Sequence, residues 1–337
     1  MNDVVVIGAG IAGLVATRAL QRAGLQVVLL EARDVVGGRI RSIEIDGGPV
    51  ELGPIWVWGS EDPVLTLLDE LDIALWQARQ EGADIFESKT GIQHGRLPTS
   101  AVPEYRIGPG LFTVCERLLA QVQGVQFNTR VTKIHPHDDG VVVSASDEQW
   151  LTKHVVAALP PRLLARSIDI PGAPLDLWRQ VPTWMANMAK VVAVFDDNTW
   201  APQLSGRAIS HLGPMVEVHD HSGPDGQPVA LFGFVPRAQA GLGLEDRVRA
   251  QLARYYGPKA VPKRLLIHRW WTEPTLHSGD DESDDESLFG HPMLHDPALD
   301  GRLHLISSET SSLSPGHLAG AVERAQTVAH HLIQALR

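Results

Sequence analysis

Cysteine is nearly absent from this chain, and basic residues are in the minority. The one cysteine, Cys115, rules out an intramolecular disulfide framework and a multi-cysteine zinc or iron–sulfur site. A formal net charge of −11 argues against a general nucleic-acid-binding protein, which needs clustered lysine and arginine for phosphate contacts. These shortages favour a cytoplasmic protein whose partner is a small molecule.

Long apolar runs are missing as well. None approaches the roughly 18 residues that a membrane-spanning helix needs. The first residues follow a strand pattern, rather than the basic segment, apolar stretch and cleavage site of a secretion signal. We therefore expect no membrane span and no secretion.

The overall balance is that of a globular protein. Hydrophobic residues make up 44% of the 337 residues and charged residues 20%. At roughly 100 to 200 residues per domain, this length predicts two domains.

The first thirty residues predict a strand, a glycine turn, a helix and a second strand. Residues 3–7 are a Val/Ile run typical of a buried parallel strand, and apolar residues recur at helical spacing over 11–23, with Gly24 at the C-cap position. Residues 26–30 form a second buried run that ends next to Glu31. This order predicts an α/β fold with a parallel sheet.

Later segments divide the chain. A helix is expected at 111–122, strands at 125–127, 141–144 and 155–159, and a last helix at 319–336, whereas short β-like runs at 190–195 and 229–234 lie between Pro/Gly turns. We expect a discontinuous, Rossmann-like dinucleotide-binding domain over 1–60, 106–172 and 277–337. An α+β substrate domain with a β-sheet would take 61–105 and 173–276.

The glycines of the first turn have separate tasks. Gly8 permits the tight turn, Gly10 lets a pyrophosphate approach the backbone, and Gly13 lets the helix pack on the strands. The helix start then presents free N–H groups to the phosphate. Glu31 is placed to accept from a ribose hydroxyl, which disfavours a 2′-phosphorylated ribose.

The sequence after this unit resembles the flavin amine oxidases, the family of monoamine and polyamine oxidases. The resemblance rests on Gly37-Gly38-Arg39, on Glu51-Leu52-Gly53 with Trp56, and on the segment from Ser308-Glu309 to Gly320-Ala321-Val322-Glu323. It implies the fold shared by amine oxidases and glutathione reductase, with FAD as cofactor. The cofactor contacts that it implies, together with the glycine unit, are Gly8, Gly10, Gly13, Glu31, Ala32, Arg33, Gly38, Arg39, Gly53, Pro54, Ile55, Trp56, Val131, Ser308, Glu309, His317 and Leu318. Arg39 would bind the phosphate and Glu309 the ribityl chain.

The resemblance also implies a redox site. Lys190, in Met188-Ala189-Lys190-Val191-Val192, matches the lysine that holds a water against flavin N5 and promotes the reaction with oxygen. Trp271, in Trp270-Trp271-Thr272-Glu273-Pro274, is expected to place its ring beside the isoalloxazine. We expect Lys190 and Trp271 to be the catalytic residues.

Three departures from the family pattern matter. Where some members attach FAD to a cysteine, this chain has the region of Asp280, so the FAD should be non-covalent. The two tyrosines of the family's substrate cage are replaced by Asp281 and His317, which with Trp56 are the expected substrate contacts. The chain is also shorter than the family between Trp76 and Arg106, which predicts an entry to the site that is either more open or covered by a partner.

The function expected from these features is oxidation of a C–N bond in an amine or amino acid. Hydride passes to flavin N5, oxygen is the acceptor, and imine and hydrogen peroxide are the products. Two alternatives stay open: a dihydronicotinamide oxidase of the renalase type, and a flavin-binding partner protein with little turnover. No metal site is expected, and the oligomeric state is open.

Overall fold

The computed structural model describes residues 1–98, 102–198, 200–277 and 285–337. Within these ranges the strands are β1 (Asn2–Ile7), β2 (Val27–Leu30), β3 (Ser42–Ile45), β4 (Gly48–Glu51), β5 (Val57–Trp58), β6 (Leu75–Gln77), β7 (Ala83–Ser88), β8 (Gly91–Gly95), β9 (Glu104–Ile107), β10 (Val125–Gln126), β11 (Lys133–His137), β12 (Gly140–Ala145), β13 (Glu148–Ala157), β14 (Met188–Phe195), β15 (Leu204–Ser210), β16 (Glu217–Asp220), β17 (Val229–Pro236), β18 (Arg264–Arg269) and β19 (Leu303–Leu305). The α-helices are α1 (Ile11–Arg22), α2 (Asp62–Glu70), α3 (Phe112–Leu119), α4 (Pro161–Ser167), α5 (Leu175–Gln180), α6 (Leu244–Tyr256), the short α7 (Ala298–Gly301) and α8 (Leu318–Ala335).

The first large sheet carries the dinucleotide-binding unit. Its order is β10-β2-β1-β13-β12-β11, with β19 also paired to β13, and β10, β2, β1, β13 and β19 run parallel. Helices α1 and α8 pack against each other on one face, where they share a core with the strand residues Val4, Val6 and Val156. The parallel strands therefore direct their carboxyl ends to one edge, which is where such sheets bind ligands.

The second large sheet has the order β18-β14-β17-β16-β15-β7-β8 and is mainly antiparallel. Alternation along β14 gives it two buried faces. Ala189, Val191 and Ala193 face a core shared with α6, whereas Val192 and Val194 face a core that includes Val50, Leu52 and Ile55 of the N-terminal segment. The second face therefore brings this sheet against the N-terminal segment that precedes β5.

The α/β fold class is confirmed, with differences at the ends of elements. The predicted strand 155–159 begins earlier and ends earlier, as β13 (Glu148–Ala157), because Pro161 starts α4 instead of closing the strand. Helix α6 was not predicted, since it lies among the β-like runs. The expected domain boundaries stay a prediction, which we keep because β7 and β8 pair into the same sheet as β14 to β18.

The helices of the described residues include none that is both long and apolar enough to cross a membrane.

Candidate active site

A cavity of about 360 Å³ runs along the carboxyl end of the parallel sheet and on toward the second sheet. At one end its wall is formed by the glycine turn, Leu30, Glu31, Ala32 and Val131. At the other end it is formed by aromatic side chains and one lysine, namely Trp56, Trp58, Trp184, Lys190, Phe234 and Trp270. One continuous cavity therefore joins the dinucleotide unit to the buried face of the second sheet.

The glycine turn has the shape that a bound pyrophosphate requires. Gly8 has φ +95°, in the region that glycine favours, and a Cβ added to Gly13 would lie 1.9 Å from the carbonyl oxygen of Gly8. At Gly10 the nearest atom to such a Cβ is the Cα of Gly38, at 3.8 Å. At Gly13 there is no room for a side chain, because the helix packs against the turn, whereas the space above Gly10 opens to the cavity.

Glu31 is buried at the end of β2, where it holds the turn together. Its carboxylate accepts hydrogen bonds from the backbone N–H of Ala9 at 2.7 Å and of Arg33 at 3.0 Å. These bonds fix the carboxylate at the cavity wall. Arg33 itself lies outside the wall and approaches Glu31 with its Nε at 3.6 Å.

Arg39 lines the cavity and forms an ion pair with Glu309, which is buried behind it. Arg39 donates to Glu309 at 2.6 and 3.0 Å and to the hydroxyl of Ser308 at 3.1 Å, and the backbone N–H of Trp184 donates to Glu309 at 2.9 Å. Burial raises the pKa of Glu309, but Arg39 and the Trp184 N–H outweigh it, so the net pKa lies below its usual value. Glu309 has no exposed surface, whereas Arg39 and Ser308 line the cavity. Glu309 therefore positions Arg39.

Two helices begin at this cavity without a capping side chain. α1 follows Gly10 and α8 follows His317, and within the described ranges no side chain caps either start. Their first N–H groups and partial positive charges are consequently left for an anionic or polar ligand. The open space over Gly10, the fixed carboxylate of Glu31 and the guanidinium of Arg39 fit the pyrophosphate and ribose of a dinucleotide such as FAD.

Lys190 lies at the far end of the cavity on the second face of β14. The side chain is 4% exposed, and its Nζ lies 3.5 Å from the ring centroid of Phe234 and 5.0 Å from that of Phe232. Among the described residues Nζ makes no hydrogen bond. Burial lowers the pKa of Lys190 to about 7, a fall that the charge of Glu217 reduces. A buried amine without a protein acceptor, aimed into a cavity, is suited to a bound group or water there.

Of the two adjacent tryptophans, the structure brings Trp270 to the cavity and leaves the predicted Trp271 outside its wall. Trp270 lines the cavity, and its indole N–H donates to the carbonyl of Leu52 at 3.0 Å. Trp271 points to the opposite side, where it packs on the α6 core and lies under the guanidinium of Arg237 at 5.6 Å. The two residues follow β18 in a short 3-10 helix, so consecutive side chains leave it in different directions.

His317 lines the cavity beside an acid that the sequence did not single out. Its Nδ1 lies 2.9 Å from Oε1 of Glu61, whose Oε2 accepts from the backbone N–H of Trp58 at 3.0 Å. The hydrogen bond to Glu61 raises the pKa of His317, against the effect of burial. Both residues line the same cavity wall.

Most of the predicted contacts come together at this one cavity. Those that line it are Gly8, Gly10, Glu31, Ala32, Gly38, Arg39, Gly53, Pro54, Ile55, Trp56, Val131, Lys190, Ser308, His317 and Leu318. Gly13, Arg33, Glu309 and Trp271 lie outside its wall, and Asp281 lies outside the described residues. The wall residues that the sequence did not indicate include Glu61, Trp184 and Phe234; Trp270 carried a signal, since it adjoins the tryptophan that was chosen.

The fold and the cavity together define a dinucleotide-binding oxidoreductase. Its second, mainly antiparallel sheet closes the redox end of the cavity, which is the end with Lys190 and the aromatic side chains. Solved structures share this architecture. A wild-type putrescine oxidase bound to putrescine gives a TM-score of 0.84 at 22% identity, with 99% of each chain covered. Cyclohexylamine oxidase from Brevibacterium oxydans IH-35A gives 0.86 at 18% identity, also over 99% of each chain.

Sequence comparison identifies the family. The sequence model of the flavin-containing amine oxidoreductases matches residues 11–98 and 103–333, so this chain belongs to that family. A probable flavin-containing monoamine oxidase A of Dictyostelium discoideum is 23% identical over an alignment 446 positions long, which covers 96% of this chain and 95% of that protein. A putrescine oxidase of Kocuria rosea is 35% identical over 154 residues, 45% of this chain and 31% of that protein. The chain is thus an FAD-dependent oxidoreductase of the amine oxidase type.

Proposed function

We propose that this chain oxidises the C–N bond of a small amine at the aromatic end of the cavity, with oxygen as the electron acceptor. The observation that carries this proposal is Lys190, a buried and unbonded amine that faces the same cavity as the glycine turn. Relatives named as monoamine and putrescine oxidases support an amine as the substrate.

Two groups of cavity residues have different roles: one group would hold FAD, and the other excludes water. The N–H groups that start α1 and the guanidinium of Arg39 would hold the phosphates of FAD, and Glu31 would accept from the ribose. Trp56, Phe234 and Trp270 exclude water from the redox end. FAD, when bound, supplies a hydride acceptor that can pass its electrons to oxygen.

Lys190 acts on the second half of the reaction. Its ammonium group stabilises negative charge that develops while oxygen is reduced, directly or through one water. Because the pKa lies at about 7, this lysine loses its charge within the ordinary working range of pH.

Non-covalent FAD is part of this proposal. Cys115 is fully buried within the α1 and α8 core, and burial raises the pKa of its thiol to about 12. Such a thiol is unreactive and lies outside the cavity wall. The expected cytoplasmic location stays a prediction.

The test is anaerobic reduction of the purified flavoprotein, read at the flavin band. Monoamines, diamines, polyamines, amino acids and NAD(P)H are supplied one at a time, and reduced protein is then mixed with oxygen to measure peroxide. We expect bleaching by an amine and stoichiometric peroxide on reoxidation. Bleaching by NAD(P)H alone would favour the renalase-type alternative, and inertness to all of them would favour the partner protein; the comparisons favour neither.

A further inference from the structure

The substrate cage of this chain differs in its chemistry from an aromatic cage. His317 and Glu61 stand at the cavity wall as a hydrogen-bonded pair with an Nδ1 to Oε1 distance of 2.9 Å. We infer that this pair accepts the proton of the incoming alkylammonium, with His317 as the catalytic base and Glu61 as its positioning residue. The inference rests on the proposed amine oxidation.

Glu61 is held in one orientation. Its side chain is 6% exposed, it precedes the first turn of α2, and its second oxygen is occupied by the N–H of Trp58. The free oxygen therefore accepts from Nδ1 of His317 and selects the tautomer whose Nε2 carries the lone pair. Among the described residues Nε2 makes no hydrogen bond, and the His317 side chain is 41% exposed. A base with a fixed tautomer and an open nitrogen thus borders the cavity.

Oxidation of an amine in this cavity requires a group that accepts a proton from the substrate. Amines of ordinary basicity arrive as ammonium ions, whereas removal of hydride from the carbon beside nitrogen requires the nitrogen lone pair. The step is R-CH2-NH3⁺ plus neutral His317 giving R-CH2-NH2 plus His317-H⁺, and the proton leaves to solvent from the partly exposed ring. No electrons move in this step.

The surroundings of His317 suit the role. The hydrogen bond and charge of Glu61 raise its pKa, burial lowers it, and the charge of Glu286 of the short helix Glu286–Leu288 raises it further. The base is therefore stronger than a free imidazole and better matched to an ammonium ion. Trp184, whose ring centroid lies 6.3 Å away, covers one side of the pair.

The experiment measures the second-order rate of anaerobic flavin reduction against pH. It uses the wild-type holoenzyme, His317→Gln and Glu61→Gln, with the best alkylamine of the panel. The control is His330→Gln, on the exposed side of α8, the helix that His317 precedes. We expect the wild-type rate to rise with pH and to level off above the pKa of His317. His317→Gln should be slower by about 100-fold or more at pH 7, on the scale of general-base catalysis, and should keep rising toward the pKa of the free amine. His330→Gln should follow the wild type.

The variant Glu61→Gln distinguishes a role of His317 as a base from a purely structural hydrogen bond between His317 and Glu61. It keeps a hydrogen-bond acceptor but removes the charge that raises the pKa of His317, so the break in the profile should move to lower pH. Parallel profiles for wild type and His317→Gln would overturn the inference. If His317→Gln does not retain FAD, an unmoved break in Glu61→Gln overturns it instead. Failure of every amine to reduce the wild type would overturn the proposed function together with the base.

Discussion

Replacement of Lys190 by methionine isolates the oxygen reaction. Methionine keeps an unbranched apolar stem against Phe232 and Phe234 and removes only the amine. The proposed phosphate contacts are the glycine turn and Arg39, which are separate from Lys190, so the variant should retain FAD. Its effect should fall on the reaction of reduced flavin with oxygen.

The magnitude follows from the burial and pKa of Lys190. Loss of one preorganised electrostatic group costs about 10²-fold to 10³-fold in rate, which is the decrease we expect at pH 6 to 7. With a pKa of about 7, roughly half of the wild-type molecules carry the charge at pH 7 and about 1% at pH 9. The wild-type rate should therefore fall about 50-fold between these pH values, whereas the variant should show no such fall.

Stability gives a second readout with a defined sign. The pKa of Lys190 is lowered on folding, so the fold is penalised below the unfolded value of 10.5 and recovers stability as pH rises from about 7 to 10.5. The lowering of the pKa from 10.5 to about 7 corresponds to a loss of roughly 5 kcal/mol in the free energy of unfolding at low pH, at about 1.4 kcal/mol per pKa unit. Lys190→Met should raise Tm, and by more at pH 7 than at pH 10.

The assay is stopped-flow mixing of pre-reduced protein with oxygen, with Lys263→Met as the matched control. Lys263 is half-exposed and pairs with Asp196 at 3.2 Å, so its loss should leave reoxidation unchanged. A fully flavinylated Lys190→Met that reoxidises at the wild-type rate would refute the role of Lys190. It would also shift the proposal toward a different electron acceptor.

Three further outcomes test the cofactor site. Acid or heat denaturation should release all FAD into the supernatant, and flavin that stays with the precipitated chain would contradict non-covalent binding. Gly10→Ala should fold but lose FAD, as measured by the ratio of flavin to protein absorbance, whereas Gly13→Ala should damage the fold itself because its Cβ would meet the carbonyl of Gly8; equal flavin content in both would place the phosphate elsewhere. Arg39→Met should cost about 3–5 kcal/mol in urea unfolding, since it leaves the buried charge of Glu309 unpaired. The lowered pKa of Glu309 means that its stabilisation is present above the unfolded value of 4.5 and is lost as pH falls below it, so wild-type stability that stays constant down to pH 3 would be inconsistent with this pair.

The dinucleotide unit was predictable because its signals are local. Strand, glycine turn, helix and acid follow one another from Asn2 to Glu31, and each is recognised from its immediate neighbours. Lys190 was predicted from a similarly local signal, the resemblance of residues 188–192 to the strand that carries the family's lysine. The limit appears at β18, where a strand pattern gives way to a 3-10 helix and the sequence cannot tell Trp270 from Trp271.

The remainder of the site depends on pairs that no local pattern connects. Glu61 and His317 are separated by 256 positions, and each alone is an ordinary polar residue near a helix start. Arg39 and Glu309 were predicted separately, as contacts of the phosphate and of the ribityl chain, and the structure also joins the two to each other. Only the tertiary fold brings such pairs together; for Glu61 and His317 it does so by placing the starts of α2 and α8 side by side.

The carboxylate of Glu309 has a consequence for the order of events during synthesis. It is bonded to Arg39, 270 positions earlier, and to the backbone of Trp184, 125 positions earlier. A ribosome that has made the glycine turn and Lys190 has therefore not yet supplied the residue that fixes Arg39, nor α8 with its free helix start. The nascent chain can form β1, β2, β10 and β13 early, but the cavity gains Glu309 and the start of α8 only when these much later segments have emerged, so the site is assembled from segments made far apart in time.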